Sequence, residues 1–308
     1  MNSKLKGSIC ILFATVIWGS TFVAQSAASE YVAPFTFQGV RSVIGTLFLL
    51  VLIAILDFDK KRRGTYTKPT KSENKLLAAG GIVCGIILAA AMNFQQIGVY
   101  LGADPGKAGF ITTMYILLVP IFGLFLRKRI SRRVWLAVAL GVVGLFFLCM
   151  KEGTGLTFVA ADIYLILCAV VFALHIIFVD YYAPKVDGVK LSCVQFLVAG
   201  TISIVLMFIF EQPSFDLILK ATFPILYAGI GSSGIAYTLQ IIGQKSTPPT
   251  IASLLMSMES VFDLLTQIVI MQLLPTGRET IGSVVMLCAI IIAQLPTCKK
   301  TNGVDNLE

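Results

Sequence analysis

Two acids and one arginine lie where an apolar chain is expected to hold none. Glu259 and Asp263 sit within residues 250–271, TIASLLMSMESVFDLLTQIVIM, and Arg41 sits within residues 34–56. Each run is long enough to cross a bilayer, since about 20 residues rising about 1.5 Å each span the hydrocarbon core of about 30 Å. An ionised side chain at that depth costs on the order of 2.5–3.5 kcal/mol on insertion scales. Such groups are therefore expected to face a cavity or a partner rather than lipid. Their spacing puts Glu259 and Asp263 on one face of a helix.

The chemistry these types offer is binding and proton exchange. A guanidinium fork suits a carboxylate, and a carboxylate suits an ammonium, so a zwitterion such as an amino acid satisfies both. One Arg against two carboxylates leaves a formal charge of −1. One carboxyl is then expected to keep its proton until a cation or an ammonium arrives, and proton-coupled export would follow. A structural ion pair locking two helices is the other reading, and spacing alone leaves both open. By helical rise, Arg41 lies about 10 Å from the outer end of its run, Asp263 about 13 Å and Glu259 about 20 Å. An arginine reaches the level of Asp263 and approaches that of Glu259.

Other side chains in apolar runs join this set. Trp18 lines a pathway or packs between helices. Gln38, Asn93, Gln95, Gln96, Gln240 and Gln267 contact a solute or hydrogen-bond a neighbouring helix. His175, the sole histidine, either relays a proton or stays neutral and hydrogen-bonded. With one histidine there is no His-Glu-x-x-His metal site, and no phosphate loop or nucleophile constellation accompanies the acids. The seven cysteines form no Cys-x-x-Cys pair, which argues against a zinc site or a disulfide framework. Cys298 reads as a free thiol. No catalytic residue, metal or cofactor is expected, and an enzyme embedded in the membrane is not the reading favoured.

The elements that position these groups follow from composition. Hydrophobic residues are 57% of the 308, charged residues 13%, against about 25% charged in soluble domains. Mean hydropathy is +0.88. This predicts an all-α integral membrane protein. Ten apolar runs cover about 5–27, 34–56, 76–99, 108–126, 134–150, 163–181, 191–210, 223–242, 250–271 and 280–295. The first exceeds the 7–15 apolar residues of a signal peptide and is expected to remain as a helix.

Basic residues orient the chain. With the N-terminus inside, 19 of the 24 Lys and Arg fall on inner loops and four (Lys107, Lys151, Lys220, Arg278) on outer ones, Arg41 being the remaining one. That places both termini in the cytoplasm and the protein in the plasma membrane as a multi-pass chain. The net charge of +8 reflects these loops, with the run at 60–63 against anionic lipid, rather than nucleic acid.

The loop at 151–162 divides the ten runs into five and five. An odd number per half inverts the second half relative to the first, the arrangement of inverted-repeat transporters. The expected organisation is a five-helix repeat over 1–150, a connecting loop over 151–162, a second repeat over 163–298 and a cytoplasmic tail over 299–308. A faint likeness sets VPIFG at 119–123 against ESVFD at 259–263. The Gly81-x-x-x-Gly85 pair serves either a homodimer face or internal packing.

The residues resemble the EamA family of the drug/metabolite transporter superfamily. The likeness lies in IWGSTFVA at 17–24, Pro34-Phe35-x-Phe37 leading to Arg41, Gln96-Ile97-Gly98, AGFIT at 108–112, LVPIFGLFL at 118–126, GIAYTLQ at 234–240, MSMESVF at 256–262 and QLP at 294–296. Two departures stand out: Asp263 where a small residue is usual, and Gln272 where a Glu is usual. The resemblance implies ten transmembrane helices as two inverted five-helix repeats around a central cavity. It implies a secondary transporter of a small solute working by alternating access. An uncoupled facilitator of the same fold is the alternative. Gln96 and Gln240 occupy family positions.

Overall fold

A computed structural model describes residues 3–103, 105–150, 159–272 and 274–295. Lys151, most of the connecting loop, Cys298 and the tail at 299–308 lie outside the described residues. Among the described residues the chain is helical without strands, and ten helices are long and apolar enough to span a membrane. Helix one is Ser3–Ser29, helix two Pro34–Arg62 and helix three Lys71–Tyr100. Helix four has two segments, Pro105–Thr113 and Tyr115–Phe125, and helix five is Arg132–Cys149. Helix six is Ala160–Tyr182, helix seven Gly188–Phe210 and helix eight Thr222–Gln244. Helix nine is again in two segments, Pro249–Met256 and Glu259–Met271, and helix ten is Gly277–Gln294.

Several helices begin where local chemistry supplies acceptors for their first N–H groups. Thr70 with Glu73, and Thr276 with Glu279, form capping boxes on helices three and ten. Asp187 accepts from Val189 N and Lys190 N on helix seven, and Ser131 from Val134 N on helix five. Pro34 opens helix two, where its missing N–H is harmless. Helices two and three run past their apolar stretches to Arg62 and back to Lys71, because helical hydrogen bonding continues into water after the lipid-facing residues end.

Three departures from regular helix lie inside apolar runs. Helix four is interrupted at Met114, helix nine at Ser257 and Met258, and helix eight widens into π-helical turns over Tyr227–Ala236. The second segments of helices four and nine start after Met114 and Met258, an offset of 144 residues (258 − 114). The likeness of 119–123 to 259–263 implies an offset of 140 (259 − 119), one turn out of register with the breaks. Apolar runs resemble one another at every turn, so composition cannot fix the register.

Close helix contacts organise the bundle. Helix five packs along helix ten, helix two along helix seven, and helix three along helices six and seven. Helix one, expected to remain in the chain, packs against helices eight and nine. On the ends assigned to the inside, Lys190 pairs with Asp57 at 2.9 Å and Lys128 with Asp180 at 2.7 Å. These partly exposed pairs contribute about 0–1 kcal/mol each.

The Gly81 and Gly85 face is occupied within the chain: a Cβ on Gly85 would lie 2.7 Å from Val198 Cβ and 2.8 Å from Gln195 O on helix seven. Of the two readings of this pair, the geometry matches internal packing. Gly85→Val is expected to lower stability in detergent by about 1–3 kcal/mol through overpacking, read as the thermal unfolding midpoint. Unchanged stability with a changed oligomeric state would return the pair to a dimer face.

Candidate functional site

Helices from both halves line a partly open cavity of about 50 Å³. About 10–15 Å³ by this measure admits one water, so this conformation admits a few. Helix one contributes Trp18 and Gln25, helix two Arg41, helix three Gln95, helix four Thr112 and Tyr115. From the second half come Phe172 of helix six, Tyr237 and Gln240 of helix eight, and Glu259 of helix nine.

Glu259 is the first residue of the second segment of helix nine. The irregularity before it is a tightened turn: Met258 N and Ser260 N bond to Leu255 O and Ser257 O, three residues back, and Phe262 N bonds to Met258 O. Glu259 is 8% exposed, and its carboxylate Oε1 accepts from Tyr115 Oη at 3.0 Å and from Thr113 Oγ1 at 3.4 Å. Those donors flank the break in helix four. Gly19 lets helix one reach this junction: a Cβ there would lie 2.7 Å from Glu259 O and 2.6 Å from Asp263 N. The Trp-Gly pair thus has two duties, Trp18 on the cavity wall and Gly19 against the helix-nine backbone.

Arg41 faces the same cavity, 2% exposed. Its guanidinium lies 5.4 Å from the Phe37 ring centre, and Nε and Nη1 have no hydrogen-bond partner. Among the described residues it forms no ion pair. Arg41 and Glu259 are brought together on one cavity without being joined, so the structural ion pair is not the arrangement found. Asp263 is absent from the cavity wall. It is partly exposed and accepts from Gln267 Nε2 at 2.9 Å; one further turn of helix carries it past the cavity.

Trp18 and Gln240 line the cavity, with Trp18 Nε1 and Gln240 Oε1 unpartnered. Buried polar atoms of this kind are ordinarily satisfied by water or a ligand. Gln96 instead donates from Nε2 to Ser29 Oγ at 2.8 Å, tying helix three to helix one. His175 is fully buried one layer behind the wall, its Nε2 3.2 Å from Gln195 Oε1 and its ring edge-on to Tyr237. Asn93 likewise bonds Ser203 at 2.8 Å. Cavity residues that spacing missed include Tyr115 and Tyr237, with Gln25, Thr112 and Phe172, and it missed Thr113, the second donor to Glu259, as well. The available signal was two tyrosines in mid-span, away from the interfaces where tyrosine usually gathers. Among the described residues no cluster of His, Cys, Asp and Glu is arranged to hold a metal.

The helix that carries Arg41 is held at its start by a further acid. Glu211, just past helix seven, accepts from Phe35 N, Thr36 N and Thr36 Oγ1, each at 2.7 Å. This caps and anchors the start of helix two, under two turns before Arg41.

Ten spans with interrupted helices around a polar cavity built from both halves define a class: a polytopic membrane transporter of the inverted-repeat type. The chain belongs to the EamA-like transporter family, whose model matches residues 5–150 and 159–294. It is 26% identical over 294 residues to an uncharacterized transporter of Archaeoglobus fulgidus, covering 95% of this chain and 87% of that one. It is 23% identical over 239 residues to the uncharacterized transporter YoaV of Bacillus subtilis, covering 76% and 78%. A solved crystal structure shares the fold at a TM-score of 0.74 and 19% identity, over 93% of this chain and 96% of that one.

Glu211→Ala is expected to cost about 0.5–2 kcal/mol, the usual loss for a helix cap, with Glu211→Gln intermediate. Thermal unfolding in detergent measures this; a melting curve identical to wild type for Glu211→Ala would remove the anchoring role.

Proposed function

We propose that this transporter moves a small zwitterionic or cationic solute of the amino-acid type by alternating access, with proton-coupled export as its direction of work. The observation that carries the reading is Arg41 and Glu259 facing one cavity unpaired, beside the interruptions of helices four and nine. An arginine with free donors takes a carboxylate. Glu259, buried on the cavity wall, takes an ammonium or a proton. Trp18, Phe172 and Tyr237 offer apolar faces to the rest of the solute, and Gln95 and Gln240 orient it. Both termini lie in the cytoplasm in this reading, and the membrane is the plasma membrane.

Transport in proteoliposomes, with a panel of amino acids, amines and sugars and an imposed pH jump, tests it. Glu259→Gln is expected to remove the pH dependence and lower the rate at least about tenfold, equivalent to about 1.4 kcal/mol. Asp263→Asn is expected to keep most of both. Arg41→Met is expected to lose carboxylate-bearing solutes and keep amines. Wild-type pH dependence in Glu259→Gln would end the proton reading in favour of an uncoupled facilitator, and affinity for uncharged solutes alone would end the zwitterion reading.

A further inference from the structure

One oxygen of Glu259 links the interruptions of the two halves. Its Oε1 accepts from Tyr115 and Thr113, on either side of Met114 where helix four breaks. Glu259 itself follows directly on the break at Ser257 and Met258. Of the two donors Tyr115 is the closer, at 3.0 Å against 3.4 Å for Thr113. The Tyr115 ring is 5% exposed and held edge-on against Phe172 at 6.5 Å between centres. Its hydroxyl is therefore delivered to Glu259 by a fixed ring.

Resting on the reading of Glu259 as the solute and proton site, we propose that Tyr115 is the positioning residue that couples occupancy of Glu259 to movement of helix four against helix nine. An arriving ammonium or proton competes with the Tyr115 hydroxyl for Oε1. With the acid ionised and unoccupied, this charge-assisted bond holds the two interruptions together. When the oxygen is taken, that polar restraint is lost and helix four is held to helix nine by apolar contacts alone, over which it can shift.

Helices four and nine also pack through Ile116, Val119, Leu254 and Leu255, and the bonds to Glu259 are the polar contacts between them that occupancy can alter. Arg41 from helix two and Tyr237 from helix eight face Glu259 across the cavity. Asp263 lies one turn along helix nine and is bonded to Gln267. Cys168 of helix six and Cys149 of helix five are buried nearby. Helix one presents Gly19 to the backbone of Glu259. Among the described residues, the side-chain donors to the Glu259 carboxylate both come from helix four.

The test uses Trp18, on the cavity wall, as reporter in the full-length protein carrying Trp135→Phe, since the chain has two tryptophans. Protons alone are the probe, and Trp18 emission is titrated against pH in liposomes. The wild-type background is expected to give one step, and Glu259→Gln to be flat. Tyr115→Phe, which removes one oxygen and keeps the ring, is expected to shrink the step at least about fivefold. Thr113→Val is expected to keep more than half of it. Glu259→Asp retains the charge but draws it back from the hydroxyl, and is expected to behave as Tyr115→Phe does. A full step in both Tyr115→Phe and Glu259→Asp, with Glu259→Gln flat, would overturn the coupling role alone. A full step in Glu259→Gln is a different pattern and would overturn the proton-site reading beneath it.

Discussion

A carboxylate deep in an apolar span must receive its hydrogen-bond donors from the protein, because lipid offers none. Much of the local architecture around Glu259 follows from that constraint. Helix nine breaks so that the acid heads a new segment, and helix four breaks beside the two side chains that donate to it. Helix one lacks a side chain at Gly19, where it touches the helix-nine backbone. The amides around the helix-nine irregularity stay bonded to its own carbonyls, so the donors to the acid come from side chains of helix four.

The two halves meet this demand unequally. Both interrupt their fourth helix, after Met114 and after Met258, but the second half alone widens its third helix, over Tyr227–Ala236. There Gly229 and Gly234 accept Ile44 and Phe48 of helix two against the wide turns. Tyr237 and Gln240 follow on the cavity wall. Inverted repeats supply the frame, and local departures from it place the chemistry.

The ends of the bundle are joined by different physics. On the basic side, long flexible lysines pair with Asp57, Asp180 and Asp187 in water, where such contacts are weak and easily exchanged. At the opposite end, Glu211 holds two backbone amides and a hydroxyl at the start of helix two. Backbone capping fixes position better than surface ion pairs do. It bears on the helix that carries Arg41.

The number of spans, their approximate limits and the two repeated halves were legible in the residues. Apolar length and helical rise are properties of one segment at a time, and basic loops alternate whatever the packing. Rotation about each helix axis and the identity of neighbours are not local properties. That is why Gln96 and His175 bond neighbouring helices instead of lining the cavity, while Asp263, on the same face as Glu259, lies off it because the cavity ends within one turn. The breaks at Met114 and Met258 were hidden for a related reason. A methionine reads the same in a regular turn as in a tightened one.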